Sequence, residues 1–323
     1  MSVTTVSVVL SGTPNSGIPA ATQQRVREAA SRLGYVPNFS AQSLRTTRSH
    51  TLGFLTDGIA ATPFAGEMVA GAQAAAWKRD YVLLIVDTGG SRELAESAAR
   101  VLLARRVDRV IVASWFHRAI DVPSSLHGHT RALANCFSKV GNYPTIVPDE
   151  AGGGYVATRR LLERERGPVG FLNMRPGIPA GPARLKGYKR ALREAGVPYD
   201  SSVVLTNKSG QAHEGFHLAR RLLDERPDLR LLFCGNDRTA MGAYEAIKLR
   251  GLRVPEDIAV VGFDNQEIIA AELIPGLTTV SLPHYEMGQR AVEVALDTPH
   301  SHDRATGPSV ELVPCRLVER QSV

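Results

Sequence analysis

Few local patterns in this 323-residue sequence could carry chemistry. His213-Glu-Gly-Phe-His217 has the spacing of a zinc-protease helix, two histidines on one face with Glu214 as base. Three fixed positions in five recur readily by chance, Gly215 weakens a helix there, and no clear third ligand follows. A metal-dependent hydrolase is therefore the weakest reading. Cys136, Cys234 and Cys315 are distant and odd in number, which makes neither a disulfide framework nor a zinc ribbon. His127-Gly-His129 reads as a polar loop. Gly152-Gly-Gly154 is not followed by the Gly-Lys-Ser/Thr of a phosphate loop, and no GxSxG elbow occurs. Neither catalysis nor a cofactor or metal is expected. What does concentrate is positive charge. Of the net +6, most lies in residues 1–50, where Arg25, Arg27, Arg32, Arg45 and Arg48 face Glu28 alone. A basic end on a nearly balanced body suits an anionic partner such as nucleic acid, although a solvated basic face would look the same.

The elements that must position such residues are legible from period. At 43% hydrophobic the chain can bury a large core in more than one domain. From residue 51 onward, apolar runs of strand length alternate with helical segments. Thr51–Thr56, Tyr81–Val86 and Arg109–Ala113 are followed, further on, by Val169–Asn173, Val203–Leu205, Arg230–Cys234 and Ile258–Phe263. Continuous apolar runs predict strands buried on both faces, and their alternation with helices predicts βαβ units. Two such halves in series predict two lobes with a ligand cleft beyond the carboxyl ends of the strands. Residues 1–50 differ. Ser2 can cap a helix running to about Leu10, and a second helix spans about Ala20 to Leu33, opened by Pro19 and stopped by Gly34. A third short helix fits Ser40–Thr46. No run approaches the roughly 20 apolar residues of a membrane helix. The start lacks the pattern of a signal peptide, so a cytoplasmic location is expected.

Specific segments then resemble the lactose-repressor (LacI/GalR) family of transcriptional regulators. Ser2–Leu10 is similar to its recognition helix, Thr22–Val26 and Leu33–Asn38 to its third helix and exit, and Ala41–Arg45 to its hinge helix. Gly235–Ala243, Gly251–Asp257, Val261–Asn265, Leu277–Val280 and Glu286–Gly288 are similar to signatures of its core. The resemblance implies an α/β, two-lobed core like the periplasmic binding proteins, with two doubly wound parallel sheets. A small, apparently truncated all-α helix-turn-helix domain and a hinge helix would precede it. The implied divisions are 1–38 for the partial DNA-binding domain and 39–50 for the hinge. The first lobe takes 51–148 plus 283–306 and the second takes 149–282 plus 307–323, with crossings near Asp149, Pro283 and Thr306. The family begins one helix upstream of Ser2–Leu10. A valine codon taken as the start and a real truncation both account for this, and residues 1–36 are expected to pack poorly because Val6, Val9 and Val26 lose a partner face.

The resemblance also implies roles. Val3, Thr4 and Val8 would face bases in the major groove, with Thr5 and Ser7 reaching bases or phosphates. Leu44 would wedge into a minor-groove step, with Arg45 and Arg48 at phosphates. For a small effector, Arg184 would donate a fork of hydrogen bonds, Asn236 would donate and accept, and Asp264 would accept two hydroxyls. Phe64 would form part of an apolar wall and Ser114 would line the first lobe. Lys208–Gln211 and Leu282 depart from the common sugar-binding pattern, so the stacking aromatic could instead be Trp115 or Phe116. The expected partners are near-palindromic operator DNA, a small, sugar-like effector and a second copy of the chain in a homodimer, without membrane association. The rival to this regulator is a solute-binding sensor that no longer binds DNA.

Overall fold

The computed structural model describes residues 2–10, 16–35, 48–59, 62, 66–297 and 309–323. The expected hinge helix, with Leu44 and Arg45, lies outside the described residues, as do Phe64 and Thr306. Two helices come first. α1 (Val3–Leu10) is capped by Ser2, whose Oγ accepts from the Thr5 amide at 3.1 Å. α2 (Ala20–Arg32) follows Pro19 and ends in a tight reversal, in which Gly34 takes φ +60° and the Tyr35 amide reaches back to the Ala30 carbonyl. The two helices pack on each other. Val9 and Val26 are buried, against the expectation that they would lose their partner face, while Val6 is half-buried.

Two six-stranded sheets follow. The first is built from β1 (Thr51–Thr56), β2 (Val82–Asp87), β3 (Arg109–Ile120), β4 (Thr130–Ser138), β5 (Thr145–Pro148) and β11 (Val310–Val313), in the order β11-β5-β4-β3-β1-β2 and wholly parallel. The second contains β6 (Val169–Met174), β7 (Val204–Asn207), β8 (Leu231–Cys234), β9 (Ala259–Asp264), β10 (Thr278–Ser281) and β12 (Arg316–Val318). Its order is β12-β10-β9-β8-β6-β7, with only β12 antiparallel. Each sheet reverses its winding beside its first strand, which is where doubly wound folds open a crevice. The intervening helices are α3 (Gly66–Trp77) and α4 (Arg92–Ala104) in the first lobe, then α5 (Glu150–Arg164), α6 (Ala180–Glu194), α7 (Ala212–Glu225), α8 (Asp237–Leu249) and the short α9 (Glu267–Ala270) in the second. α10 (His284–Asp297) returns to the first lobe and packs on α3.

The chain changes sheet after Pro148, after Ser281 and between Val313 and Arg316. The third change falls later than the expected Thr306, because Val310–Val313 pairs with Thr145–Pro148 and completes the first sheet. A second difference concerns β2. Its apolar run was read as buried on both faces, yet it forms the edge of its sheet and leaves Val82 51% and Ile85 40% exposed. Periodicity alone cannot tell an apolar strand that is covered within the chain from one that another surface must cover.

Three helix pairs cross at glycines. A Cβ on Gly71 or Gly288 would strike the backbone of α10 or α3. Gly154 and Gly187 do the same for α5 and α6, and Gly215 and Gly242 for α7 and α8. The helix weakness read at Gly215 is thus the condition for close packing on Thr239. The consequence is largest at α5 and α6, because that crossing brings Glu150 against Arg184. In Gly187→Ala the new methyl meets the Ala151 carbonyl and the Tyr155 amide, both backbone groups that cannot rotate away. Overpacking of this kind costs about 1–3 kcal/mol. The urea midpoint should fall accordingly, and an unchanged midpoint would mean that the helices separate freely.

Candidate effector cleft

Strands of both sheets aim their carboxyl ends at one cavity of about 290 Å³. The second lobe contributes Met174 and Arg175 from the end of β6, Asn236 after β8 and Asp264 at the end of β9, with Glu150 and Arg184 from the facing helices. Lys208 to Gln211, Arg238, Gln266 and Leu282 complete that side. The first lobe contributes Trp115, Phe116, His117 and Asn135. A larger cavity of about 530 Å³ lies beside α4, but only the first lobe lines it. Three of its polar groups are also paired internally: Asp57 with Arg118, Glu96 with the Ser124 amide, and His127 with the Val122 carbonyl. The cavity shared by both lobes is therefore the candidate site.

Its centre is a buried guanidinium. Asp149 ends the crossing from β5 by capping α5, its Oδ1 accepting from the Gly152 amide at 2.8 Å, and this puts Glu150 in the first turn. Arg184 Nε donates to Glu150 Oε2 at 2.7 Å, Nη1 to the Gly235 carbonyl, and Nη2 to Asp264 Oδ1 at 3.5 Å. The plane lies 3.5 Å above the centre of the Phe263 ring. Burial works against its charge, but Glu150 and Asp264 outweigh that and hold it above its usual range. Two carboxylates thus share one cation away from water. Asp264 feels the shortfall: burial pushes its pKa up to about 6, against the pull of Arg184 and with a further push from Glu150. Its backbone is also constrained, at φ +103°, a left-handed conformation that costs a residue with a side chain about 1–3 kcal/mol. Asp237 braces the same loop from below. Its carboxylate accepts from the Gln266 amide at 2.6 Å and the Thr279 hydroxyl at 2.5 Å, while burial first and Asp264 second raise its pKa well above the carboxylate range.

The first-lobe wall comes from an irregular strand. Along β3, Ala113 pairs with Ala134 and Arg118 with Cys136, so Ser114, Trp115, Phe116 and His117 together face Asn135 alone. Such a bulge re-aims side chains, and here it turns three rings toward the cleft. Asp57 pins its root, accepting from the Trp115 amide at 3.0 Å, from Ser114 Oγ at 2.8 Å and from Arg118. Asn135 adopts φ +56° and donates to the Ser114 carbonyl at 3.2 Å.

The sequence-derived candidates divide on this geometry. Arg184, Asn236 and Asp264 meet in one cavity, and Trp115 and Phe116 supply aromatic wall. Ser114 does not line that cavity: its hydroxyl is turned to Asp57 and Arg118, where it shapes the bulge. Asn236 lines the cavity with both amide atoms committed, Oδ1 accepting from the Thr239 amide at 2.8 Å and Nδ2 donating to the Gly210 carbonyl at 3.0 Å. Arg184 likewise spends its fork on the protein. Glu150, His117 and Asn135 went unnoticed in the sequence. A carboxylate directly after the Asp149 crossing was the one available signal for Glu150. At the other end of the chain, Val3, Thr4 and Ser7 are exposed on α1, Thr5 and Val8 are half-buried, and Arg48 is exposed just before Ser49 and His50, whose amides Asp108 binds. His213 and His217 do share a face of α7, their rings 4.6 Å apart, but Glu214 is held by the Ser209 amide and hydroxyl as a loop cap. Among the described residues no three or more metal-ligating side chains converge, and no helix is long and apolar enough to cross a membrane.

Comparison with known proteins agrees with this architecture. Residues 146–323 match the model of the periplasmic binding protein-like domain. The sucrose operon repressor of Shigella flexneri is 32% identical over 328 residues, covering 100% of this chain and 96% of that protein. A LacI-family transcriptional regulator from Rhizobium etli superposes with a TM-score of 0.74 at 29% identity, covering 85% of this chain and 99% of that one. The transcriptional regulator CelR in complex with cellobiose superposes with a TM-score of 0.69 at 27% identity, covering 98% of this chain and 94% of that one. With a curated relative aligned along its whole length and two α/β lobes closing on one cavity, the chain belongs to the LacI family of transcriptional regulators.

Proposed function

We propose that the protein is a transcriptional repressor whose operator affinity is set by a neutral, sugar-like effector held between its lobes. The observation that carries this is the two-lobed cavity centred on Glu150, Arg184 and Asp264. Carboxylate oxygens at its centre accept effector hydroxyls, while Trp115 and Phe116 cover an apolar sugar face. Arg184 acts chiefly by holding both carboxylates in place. Two relatives, a sucrose operon repressor and a regulator in complex with cellobiose, support a saccharide. On DNA, the exposed Val3, Thr4 and Ser7 face the major groove with Thr5 and Val8 beside them. Leu44 enters the minor groove, and Arg45 and Arg48 meet phosphates. The working form is a cytoplasmic homodimer, supported by the apolar edge of β2, where Val82 and Ile85 are uncovered, and by exposed Trp77 on the helix that packs on β2. The DNA-binding part, the hinge and two lobes remain the divisions proposed, with the last crossing moved to Pro314–Cys315.

Selection from random duplex DNA, followed by binding across a salt series with and without sucrose or cellobiose, tests this. The expected result is enrichment of a near-palindromic site whose affinity changes with sugar, above a salt-steep nonspecific background. If no duplex is enriched while a sugar still raises the melting temperature, the protein is a sensor and the repressor reading falls.

A further inference from the structure

Nδ1 of His117 is buried and has no hydrogen-bond partner. The ring is not adrift: it sits on the bulge of β3, edge-on to Phe137 with centroids 5.8 Å apart, and it lines the shared cavity. The charged groups that act on it belong to the opposite lobe, Glu150 on α5 and Arg184 on α6. Burial lowers its pKa, Glu150 pulls it back up, and Arg184 lowers it again. At neutral pH the ring is uncharged, with one nitrogen carrying a proton and the other a lone pair. A buried nitrogen without a partner costs stability, and at the wall of a cavity a contact kept for a bound molecule accounts for it.

We propose that His117 is a specificity-determining residue of the first lobe, and that its Nδ1 and the Glu150 carboxylate hold the same effector hydroxyl from opposite sides of the cleft. A hydroxyl is the group that fits, because it can donate its one proton to the carboxylate while its oxygen accepts from the neutral imidazole in the tautomer that carries the proton on Nδ1. An aldehyde or ketone oxygen cannot, since it offers the carboxylate no proton. A carboxylate on the effector would be repelled by Glu150 and Asp264. The bulge places it there: with four residues of β3 facing one of β4, the imidazole lines the shared cavity within electrostatic reach of Glu150 on α5 and Arg184 on α6. The inference rests on the sugar-like effector proposed above and names the first-lobe group that reads it. It also gives closure a cause, because one hydroxyl bound by residues of both lobes favours the closed arrangement by its differential contact.

The test compares the full chain with His117→Phe and His117→Gln by thermal melting, without ligand and with sucrose and cellobiose. Without ligand, His117→Phe should melt about 2 °C higher, because an unpaired buried nitrogen is gone. The sugar-induced rise of the wild type should vanish in His117→Phe, with affinity at least tenfold weaker, and return in part in His117→Gln, whose amide can occupy the same hydrogen bond. The ¹⁵N resonance of His117 Nδ1 should move on sugar addition, a change that a merely structural ring would not show. A lower ligand-free melting temperature in both variants, or an undiminished sugar response in His117→Phe, overturns the proposal. If neither sugar shifts the wild type, the saccharide reading above fails. The ligand-free comparison then decides the role of His117 alone, a rise keeping it as a reserved contact and a fall making it structural.

Discussion

Arg184→Met lowers the stability of the protein by about 3–5 kcal/mol at neutral pH, the scale for removing one partner of a buried ion pair. The side chain is 4% exposed, as is that of Glu150, so the loss strands one carboxylate in the interior and leaves Asp264 beside it without compensation. Methionine keeps the unbranched apolar stem and removes the guanidinium that stacks on the Phe263 ring and holds the carboxylates. The pH dependence gives the proof. With the guanidinium gone, Asp264 loses the partner that holds its pKa down and binds its proton still more tightly in the folded than in the unfolded state. Stability from this group is then present below its unfolded value and is lost as pH rises through the raised one. The variant should recover much of its deficit toward pH 5, and adding Glu150→Leu should restore stability at neutral pH as well. Urea unfolding at several pH values measures all of this. A deficit that stays constant with pH would show that Arg184 contributes packing and little else.

Asp264→Asn has the opposite signature. The folded pKa of about 6 stands roughly two units above that of an unfolded aspartate. The wild type therefore gives up about 3 kcal/mol between pH 4 and pH 7 on account of this one side chain, the loss appearing as pH rises through about 6. Asparagine, without a proton to lose, removes that component, so the two stability curves diverge as pH rises. Binding changes in the other direction. Hydrogen bonds to a charged acceptor contribute about 1.5–3 kcal/mol, so sugar affinity should fall about 10- to 100-fold while the fold becomes less sensitive to pH. Parallel stability curves would place the titration elsewhere, and unchanged sugar affinity would remove Asp264 from the site.

The contrast between these residues shows what a sequence can convey. The two lobes were legible because each buried strand is a continuous apolar run and each helix keeps its own period. That Arg184, Asn236 and Asp264 would meet in one cavity was legible because they sit in segments that resemble a known family. What escaped were facts set by pairing between distant segments. Ser114–His117 reads as the end of a strand, and only the register against Asn135 makes it a bulge. Nothing local to Glu150 says that a glycine crossing will set it against Arg184. The resemblance implied that Ser114 lines the first lobe, whereas Asp57 claims its hydroxyl. The edge position of β2 is likewise a property of the whole sheet, invisible in Tyr81–Val86.

The late change of sheet at Pro314–Cys315 also governs the order in which the protein can be made. β11 borders β5 in one sheet, and three residues later β12 borders β10 in the other. Just beyond, Ser322 Oγ accepts from the Thr278 amide at 2.8 Å and donates to the Val260 carbonyl at 2.6 Å. During synthesis, therefore, neither lobe can finish before the other. Both wait, with an open strand edge apiece, for the same short segment, residues 310–318, to leave the ribosome. Until then β5 and β10 each present unpaired backbone groups to any neighbouring chain. A nascent chain arrested near residue 309 would thus be vulnerable in both halves at once, and its completion would protect both in a single step.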